Sequence, residues 1–589
     1  MKRIFLYGGL PLLAMVSLTG CIDDNYDLSD IDTTSEFKVN DLVLPVNIDV
    51  VTLGDIIDVK PEDQIKEITI GGQTFYAVQE SGTFASEPIH IPSFSTNAPS
   101  VSSTTVSFNV GANRNNAPAK LPSLTLGLTA PIEKSISYRA ENIDAAIISL
   151  TELFTDELSI ALTFTASPEV TEIAEIELQN LLLDLPKGLT ITNVLPDGIY
   201  NNGRLEIPSV KLENGVATIT LKASGVNLAD NGCTIDYNRH SLELNSNVNI
   251  ESALLLVTPK TDAAVTVPEN VSLNVDYAIS PLSVTAVSGR IHYMLEGDAL
   301  NISPISLAEL PDFLAQEGTN LVLSNPQIYL SVNNPVAEEK LEYRTGLQLT
   351  AVRDGEPEKY FSLDNGYFDV NYNKGVTGPY NFCLSPESPA ADQVPTGYTN
   401  PVHVPFTSLG SVISGNGLPK SIGIDLVDPQ IFEQAVNGFR LGHNLNALEG
   451  SWEFVAPLAL KSGMGSKIVY TKTENGWNDE DVDAITISTL EISMSVDSDL
   501  PLKANITGYP IDKIGNQISE VTIVGAEIPA NAKDEEVVIR VNGTVQHLDG
   551  ITFTATVEPD ESEKALSPSQ TLTLKNIRAK VSGSYTKKF

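Results

Sequence analysis

Apolar and polar residues alternate with a period of two over much of this chain. Val271, Leu273, Val275 and Tyr277 alternate with polar residues, and so do Leu242 and Leu244, and Ile551, Phe553, Ala555 and Val557. In an extended strand successive side chains leave opposite faces, so this pattern makes one face apolar and the other wet. An apolar sheet face must be covered by another layer. The expected fold is therefore all-β: tandem immunoglobulin-like β-sandwich domains with a few short helices. Two runs change phase. Ile485 and Ile487 are followed by Leu490, Ile492, Met494 and Val496, and Leu572 and Leu574 by Ile577, Ala579 and Val581. A slip of one residue turns the apolar set to the wrong face unless a bulge absorbs it, so each slip predicts a β-bulge.

The chain has 589 residues, too long for one hydrophobic core. With Val257–Asp262 and Ser414–Pro419 read as linkers, the expected segments are 1–20 a signal peptide, 21–60 an acidic tether, 61–125 an N-terminal β region, and three β-sandwiches at 126–258, 266–415 and 430–589. Helical spacing predicts two short helices. One follows an Asp428-Pro429 cap through Ile431, Phe432, Ala435, Val436 and Phe439, and the other carries Leu310, Phe313 and Leu314 before Gly318. Leu572 to Tyr585 reads as a strand, and the Lys587-Lys588-Phe589 that follows carries the charge that discourages edge pairing.

Charged residues are only 19% of the chain and its net charge is −39. So acidic a surface repels nucleic acid and anionic lipid headgroups, which argues against nucleic acid as a partner. Of three cysteines, Cys233 and Cys383 have no neighbouring ligand at metal spacing; they read as free, although a bridge in an oxidising compartment stays open.

The N-terminus gives the most specific motif. Lys2 and Arg3 precede an apolar run from Ile4 to Val16, and Leu18-Thr19-Gly20-Cys21 follows. The apolar run is too short for a permanent membrane helix. The final four residues match a bacterial lipobox: small residues fit the peptidase cleft, and the Cys21 thiol takes a diacylglycerol thioether. Two or more acyl chains hold firmly where one does not. Behind Cys21 come Asp23, Asp24, Asp27, Asp30 and Asp32, a solvated tether that cannot nucleate a core. The expected partner is the membrane, through the N-terminal lipid, and the expected location is the outer membrane. The acidic run resembles the surface-export signal of Bacteroidota lipoproteins, which implies display on the cell surface.

Three further stretches extend that resemblance: Asn325-Pro326-Gln327-Ile328-Tyr329-Leu330 ending in Asn334-Pro335, Asp499-Leu500-Pro501-Leu502, and Leu548-Asp549-Gly550-Ile551. They are similar to surface lipoproteins of gut Bacteroidota built from β-sandwich domains. That group includes glycan-utilisation accessory proteins and pilus-like subunits, and the resemblance carries no catalytic residues.

Known catalytic signatures are missing from the sequence: no G-x-S-x-G, no H-E-x-x-H, no Walker A loop. The expectation is a non-catalytic binding or scaffolding module. Alternatives are a glycan-binding accessory protein of a polysaccharide-uptake system, and an adhesin or pilus-type subunit. Two places carry binding hypotheses. Asn365-Gly366 is a hairpin signal, after which Phe368, Val370 and Tyr372 share the core face and Tyr367, Asp369 and Asn371 the other. A flat ring beside hydrogen-bonding groups suits a sugar; it equally suits cross-strand stabilisation of an exposed sheet face. Asp479, Asp481 and Asp483, behind Trp477, set hard oxygen ligands at alternate positions, suited to a structural Ca²⁺ or simply to a solvated turn. No other cofactor is expected.

Overall fold

The computed structural model describes residues 34–46, 51–53, 65–109, 119–120, 123–230, 232–262, 264–265, 270–295, 302–307, 314, 316–371, 378–415, 418–476, 484–518 and 522–588. Cys21 and the preceding leader, the aspartates from Asp23 to Asp32, Tyr372, Trp477, Asp479, Asp481, Asp483, and Leu310 and Phe313 of the second expected helix lie outside them. Leu314 is described, and is buried.

The alternating runs form strands, and the fold is all-β as the periodicity predicts. In the Ile147–Ala166 strand, Leu158, Ile160, Leu162, Phe164 and Ala166 all face the core. Its register shifts between Phe154 and Leu158, and its partners change there. The first half pairs with Ser283–Met294 and the second with Asn270–Ile279. A bulged strand can thus serve two directions of one twisted sheet.

Among the described residues, strands belong to a twelve-stranded sheet, a nine-stranded sheet, a six-stranded sheet and three smaller ones. These sheets cross the seams expected from the sequence. Ile147–Ala166 pairs with Ser283–Met294, which pairs with Ser421–Arg440, which pairs with Tyr343–Val352. One sheet therefore runs through both supposed linkers. Gln73–Ala85 pairs with Glu449–Pro457 in the six-stranded sheet, so the 61–125 region is built into the body. One continuous core joins these layers, from Ile65 and Tyr76 through Phe454 to Leu566. The long-range pairing decides the layout, and linker-like composition does not reveal it.

The expected helix after Asp428-Pro429 is instead part of the 20-residue strand Ser421–Arg440. Both its edges are occupied, by Tyr343–Val352 along the first half and Ser283–Met294 along the second. Asp428, at φ 45°, stands where the partner changes, and Pro429 tolerates that site because a bulge spares the ladder its missing N–H. Register shifts near Val287 and Ile291 interrupt the alternation twice between Ile431 and Phe439, where the pairing steps by three residues from Ile431 to Gln434 and from Val436 to Phe439, and both Ile431 and Phe439 are buried. Bulges inside a strand counterfeit a helical period.

Both phase slips are bulges. The pairing of Ile485–Ser498 shifts register between Ile487 and Thr489, and that of Thr571–Lys588 shifts beside Asn576, which takes φ 53°. These strands lie in the nine-stranded sheet, which holds two small clusters of its own, around Val496 and Val537 and around Val541 and Val545.

Part of the expected acidic tether also folds. Thr34–Val46 pairs antiparallel with Thr571–Lys588 from Thr34↔Lys588 to Val46↔Ile577. Thr571–Lys588 is therefore an interior strand, with Thr34–Val46 on one side and Ile485–Ser498 on the other, and Lys587-Lys588 does not mark a free edge.

Candidate functional site

The aromatic segment after residue 359 does not form the expected hairpin. Lys359–Ser362 and Phe368–Val370 both pair with Tyr343–Val352, one after the other along the same edge. Asn365-Gly366 lies in a short excursion between them, with Gly366 at φ 76°. The excursion presses inward: a Cβ on Gly346 would stand 2.5 Å from the Gly366 carbonyl oxygen. Turn chemistry is legible in the sequence; which strands it joins is not.

The assignment of faces holds for the described residues. Phe368 and Val370 are buried, whereas Tyr367, Asp369 and Asn371 are exposed. On the outer face Arg344 gathers its neighbours. Its Nε donates to Asp369 Oδ1 at 2.9 Å, and its guanidinium lies 4.5 Å from the Phe432 ring centre and 5.9 Å from that of Tyr367. The Tyr367 hydroxyl donates to Asp428 Oδ2 at 3.0 Å, which pushes its pKa up because the carboxylate holds the proton in place. Tyr367 and Asp369 thus meet around Arg344, with ring and carboxylate engaged within the sheet; Asn371 has no part in this cluster.

A different surface gathers serines and asparagines, where Asn245 Nδ2 donates to Glu243 Oε1 at 3.0 Å. Ser135–Ala140 pairs with Ser241–Asn247, setting Ser135 opposite Asn247 and Ser137 opposite Asn245. Ile136, Tyr138, Leu242 and Leu244 fill the core, which turns these serines and asparagines outward. The segment at Asn97 docks alongside: Arg139 N–H donates to Asn97 Oδ1 at 2.6 Å, and Asn97 N–H donates to the Arg139 carbonyl at 3.0 Å. Between them lies a groove of about 670 Å³ lined by Asn97, Ser100, Ser135, Ser137, Asn245 and Asn247. Its lining is neutral, in a chain of net charge −39. Amides and hydroxyls both donate and accept, which suits a ligand that presents many hydroxyls. Composition could not reveal this groove, because Ser and Asn are ordinary on strand faces and in turns. Only the alternation of Leu242 and Leu244 indicates that Asn245 faces outward.

A second depression, of about 640 Å³, lies on the nine-stranded sheet among Lys503, Asn505, Thr507, Glu527, Glu535 and Glu558. The histidines are dispersed. His90 contacts Asn444, His292 contacts Gln430 and His403 contacts the Ser385 carbonyl. Among the described residues no three of His, Cys, Asp and Glu come together as metal ligands. Cys233 and Cys383 are both free, in different sheets, and burial pushes both thiols up.

Glu563 occupies the most elaborate polar setting. Its carboxylate accepts from Ser324 Oγ at 2.6 Å, Lys461 Nζ at 3.0 Å, Ser462 N–H at 3.0 Å and Ser462 Oγ at 3.1 Å. Burial alone would raise its pKa, but these four donors outweigh that and hold it at about 2. The residue lies between two strands of the nine-stranded sheet, and its partners belong to the body. Glu563 is thus a clasp, with a structural role.

No protein-family model and no curated protein matches the chain. Among solved structures, a protein from Parabacteroides distasonis ATCC 8503 described as secreted aligns with 50% of this chain and 89% of its own, at 16% identity and a TM-score of 0.34. A superposition that loose carries no argument about function.

Proposed function

We propose that this chain is a lipid-anchored protein of the cell envelope, held at the outer membrane by an acylated Cys21 and displayed on the cell surface. Its role is that of a non-catalytic binding or scaffolding module. The observation that carries the reading is the pairing of Thr34–Val46 with Thr571–Lys588. The first strand after the lipobox is laced into the sheet, so an anchor at Cys21 pulls on folded structure after only residues 22–33. The aspartates within that stretch support export to the surface. In cells, the wild type should sediment with membranes and Cys21→Ala should be released to the soluble fraction. A Cys21→Ala protein that stays with membranes sinks the reading.

A glycan-binding role is favoured by the neutral groove at Ser135, Ser137, Asn245 and Asn247. Hydroxyl-rich ligands lose little on leaving water if every hydroxyl finds a partner, and this lining supplies both donors and acceptors. On an array of neutral and acidic glycans the protein should retain neutral oligosaccharides, and Asn245→Ala with Asn247→Ala should weaken retention at least tenfold. Retention unchanged by the double substitution, or no retention at all, removes this reading. The pilus-type alternative has less support, since Thr571–Lys588 is flanked on both sides and is not a strand awaiting a partner.

A further inference from the structure

The strand Ser135–Ala140 ends the three-stranded sheet, with Ser241–Asn247 along one of its edges. In an antiparallel pair, alternate residues aim N–H and C=O at the partner, and those between aim them away. Val248 N–H donates to the Lys134 carbonyl at 2.8 Å, so the even-numbered residues bond inward. Arg139 turns to the opposite edge: its N–H donates to Asn97 Oδ1, and its carbonyl accepts from Asn97 N–H. Ser135 and Ser137 share that direction. Among the described residues no partner meets their N–H and C=O groups on that edge.

The facing segment explains why. It runs Asn97-Ala98-Pro99-Ser100-Val101-Ser102, antiparallel to the strand, from the Arg139 contact to Ser102, whose Oγ accepts from Lys134 Nζ at 3.4 Å. Counted from Asn97, the residue due opposite Ser137 is Pro99, which has no N–H to give. Pairing stops, and residues 96–103 form no strand. The neutral groove of about 670 Å³ opens in that interval, with Asn97 and Ser100 on one wall and Ser135 and Ser137 on the other.

Open main-chain groups on an edge invite an added strand. Only two residues of Ser135–Ala140 are open here, and the facing segment meets the strand on either side of them, through Asn97 and through Ser102. A polymer cannot lie along such an edge; it must enter across it, by an end. A saccharide ring is short enough, and each of its hydroxyls both donates and accepts. Among the described residues no aromatic side chain lines the groove, so the ring is held by its rim and not stacked. Arg139, at one end, has Glu141 at 3.3 Å, which balances its charge and favours a neutral ligand. We propose that the groove takes the terminal ring of a neutral glycan edge-on, with hydroxyls bonded to the main chain of Ser135 and Ser137 and to the side chains of Asn245 and Asn247. The proposal rests on the glycan reading of this groove, and adds which atoms bind and which part of the glycan is read.

The test uses the mature chain, residues 21–589, with Cys21→Ser. It is screened against cello-, malto-, laminari-, manno- and chitohexaose, and against the trisaccharide of each series retained. The trisaccharide should compete within threefold of the hexasaccharide per mole, because only an end ring is held. Ser137→Pro removes an N–H that the fold does not use, at an edge position where proline is tolerated. It should weaken retention at least tenfold, and Ser137→Ala less than threefold. Residue-resolved hydrogen exchange on the parent protein needs no variant. The Ser135 and Ser137 amides should exchange fast alone and slow with the hexasaccharide, while that of Ile136 stays slow throughout. Retention weakened by Asn245→Ala with Asn247→Ala, but with exchange at Ser137 unmoved by the ligand, overturns this inference and leaves the glycan reading standing. A trisaccharide at least tenfold weaker overturns the end-ring assignment in the same way. Retention of no hexasaccharide, or retention indifferent to every variant, overturns both.

Discussion

Gly289→Ala should destabilise the protein by about 3 kcal/mol or more, a large effect for the addition of one methyl group. Gly289 sits in Ser283–Met294, in the middle of the twelve-stranded sheet. It is opposite Leu150 on one side and Val436 on the other, and both pairings shift register beside it. Its φ of 154° suits glycine, and a Cβ there would drive into the Ser149 carbonyl oxygen. The contact is with backbone on a paired strand, so relief requires the strand itself to move. This is the ladder that joins the two halves of the sheet, and the expected result is a lower urea midpoint for the whole body. A midpoint within experimental error of wild type would show that the close approach is not real.

Glu563→Gln should loosen the nine-stranded sheet from the body at neutral pH, by on the order of 2–3 kcal/mol given a carboxylate held at about 2 against an ordinary 4.5. Only 19% of its side chain is exposed, so solvent screens the four hydrogen bonds little. A lowered pKa means that the ionised form is the one favoured by folding. The contribution is whole above pH 4.5 and is lost as pH falls through about 2. The gap between wild type and Glu563→Gln should therefore close on acidification over that interval. Backbone hydrogen bonds from Tyr76 N–H to the Leu566 carbonyl and from Leu566 N–H to the Leu458 carbonyl lie in the same junction. Hydrogen exchange at Tyr76 and Leu566 is the direct readout. Faster exchange in the variant at pH 7 supports the clasp; unchanged exchange would mean that the other contacts hold the junction unaided.

Local pattern was legible where local physics decides. The phase slips at Ile487–Leu490 and Leu574–Ile577 announced bulges because a strand cannot otherwise keep its apolar residues on one side. Phe368 and Val370 were placed in the core, and Asp369 outside it, by the same parity. Pairing partners were not legible. The segment through Ile431, Val436 and Phe439 looked helical because two bulged registers break the period of two, and only its neighbours at Tyr343–Val352 and Ser283–Met294 make it a strand. Asn365-Gly366 marked a turn and could not say that both flanking segments lie along one edge. The 34–46 stretch read as tether because its mate lies more than 500 positions away in the sequence. The neutral groove was invisible for a related reason: Asn97, Ser135 and Asn245 meet only after three segments have found each other.

The most direct test of the account is the mass of the N-terminal peptide in protein purified from the membranes of the organism that makes it. The account predicts a peptide that begins at Cys21 and is heavier by a diacylglyceryl group and a further acyl chain. A peptide that still carries residues 1–20, or one that begins at Cys21 with an unmodified thiol, would contradict it.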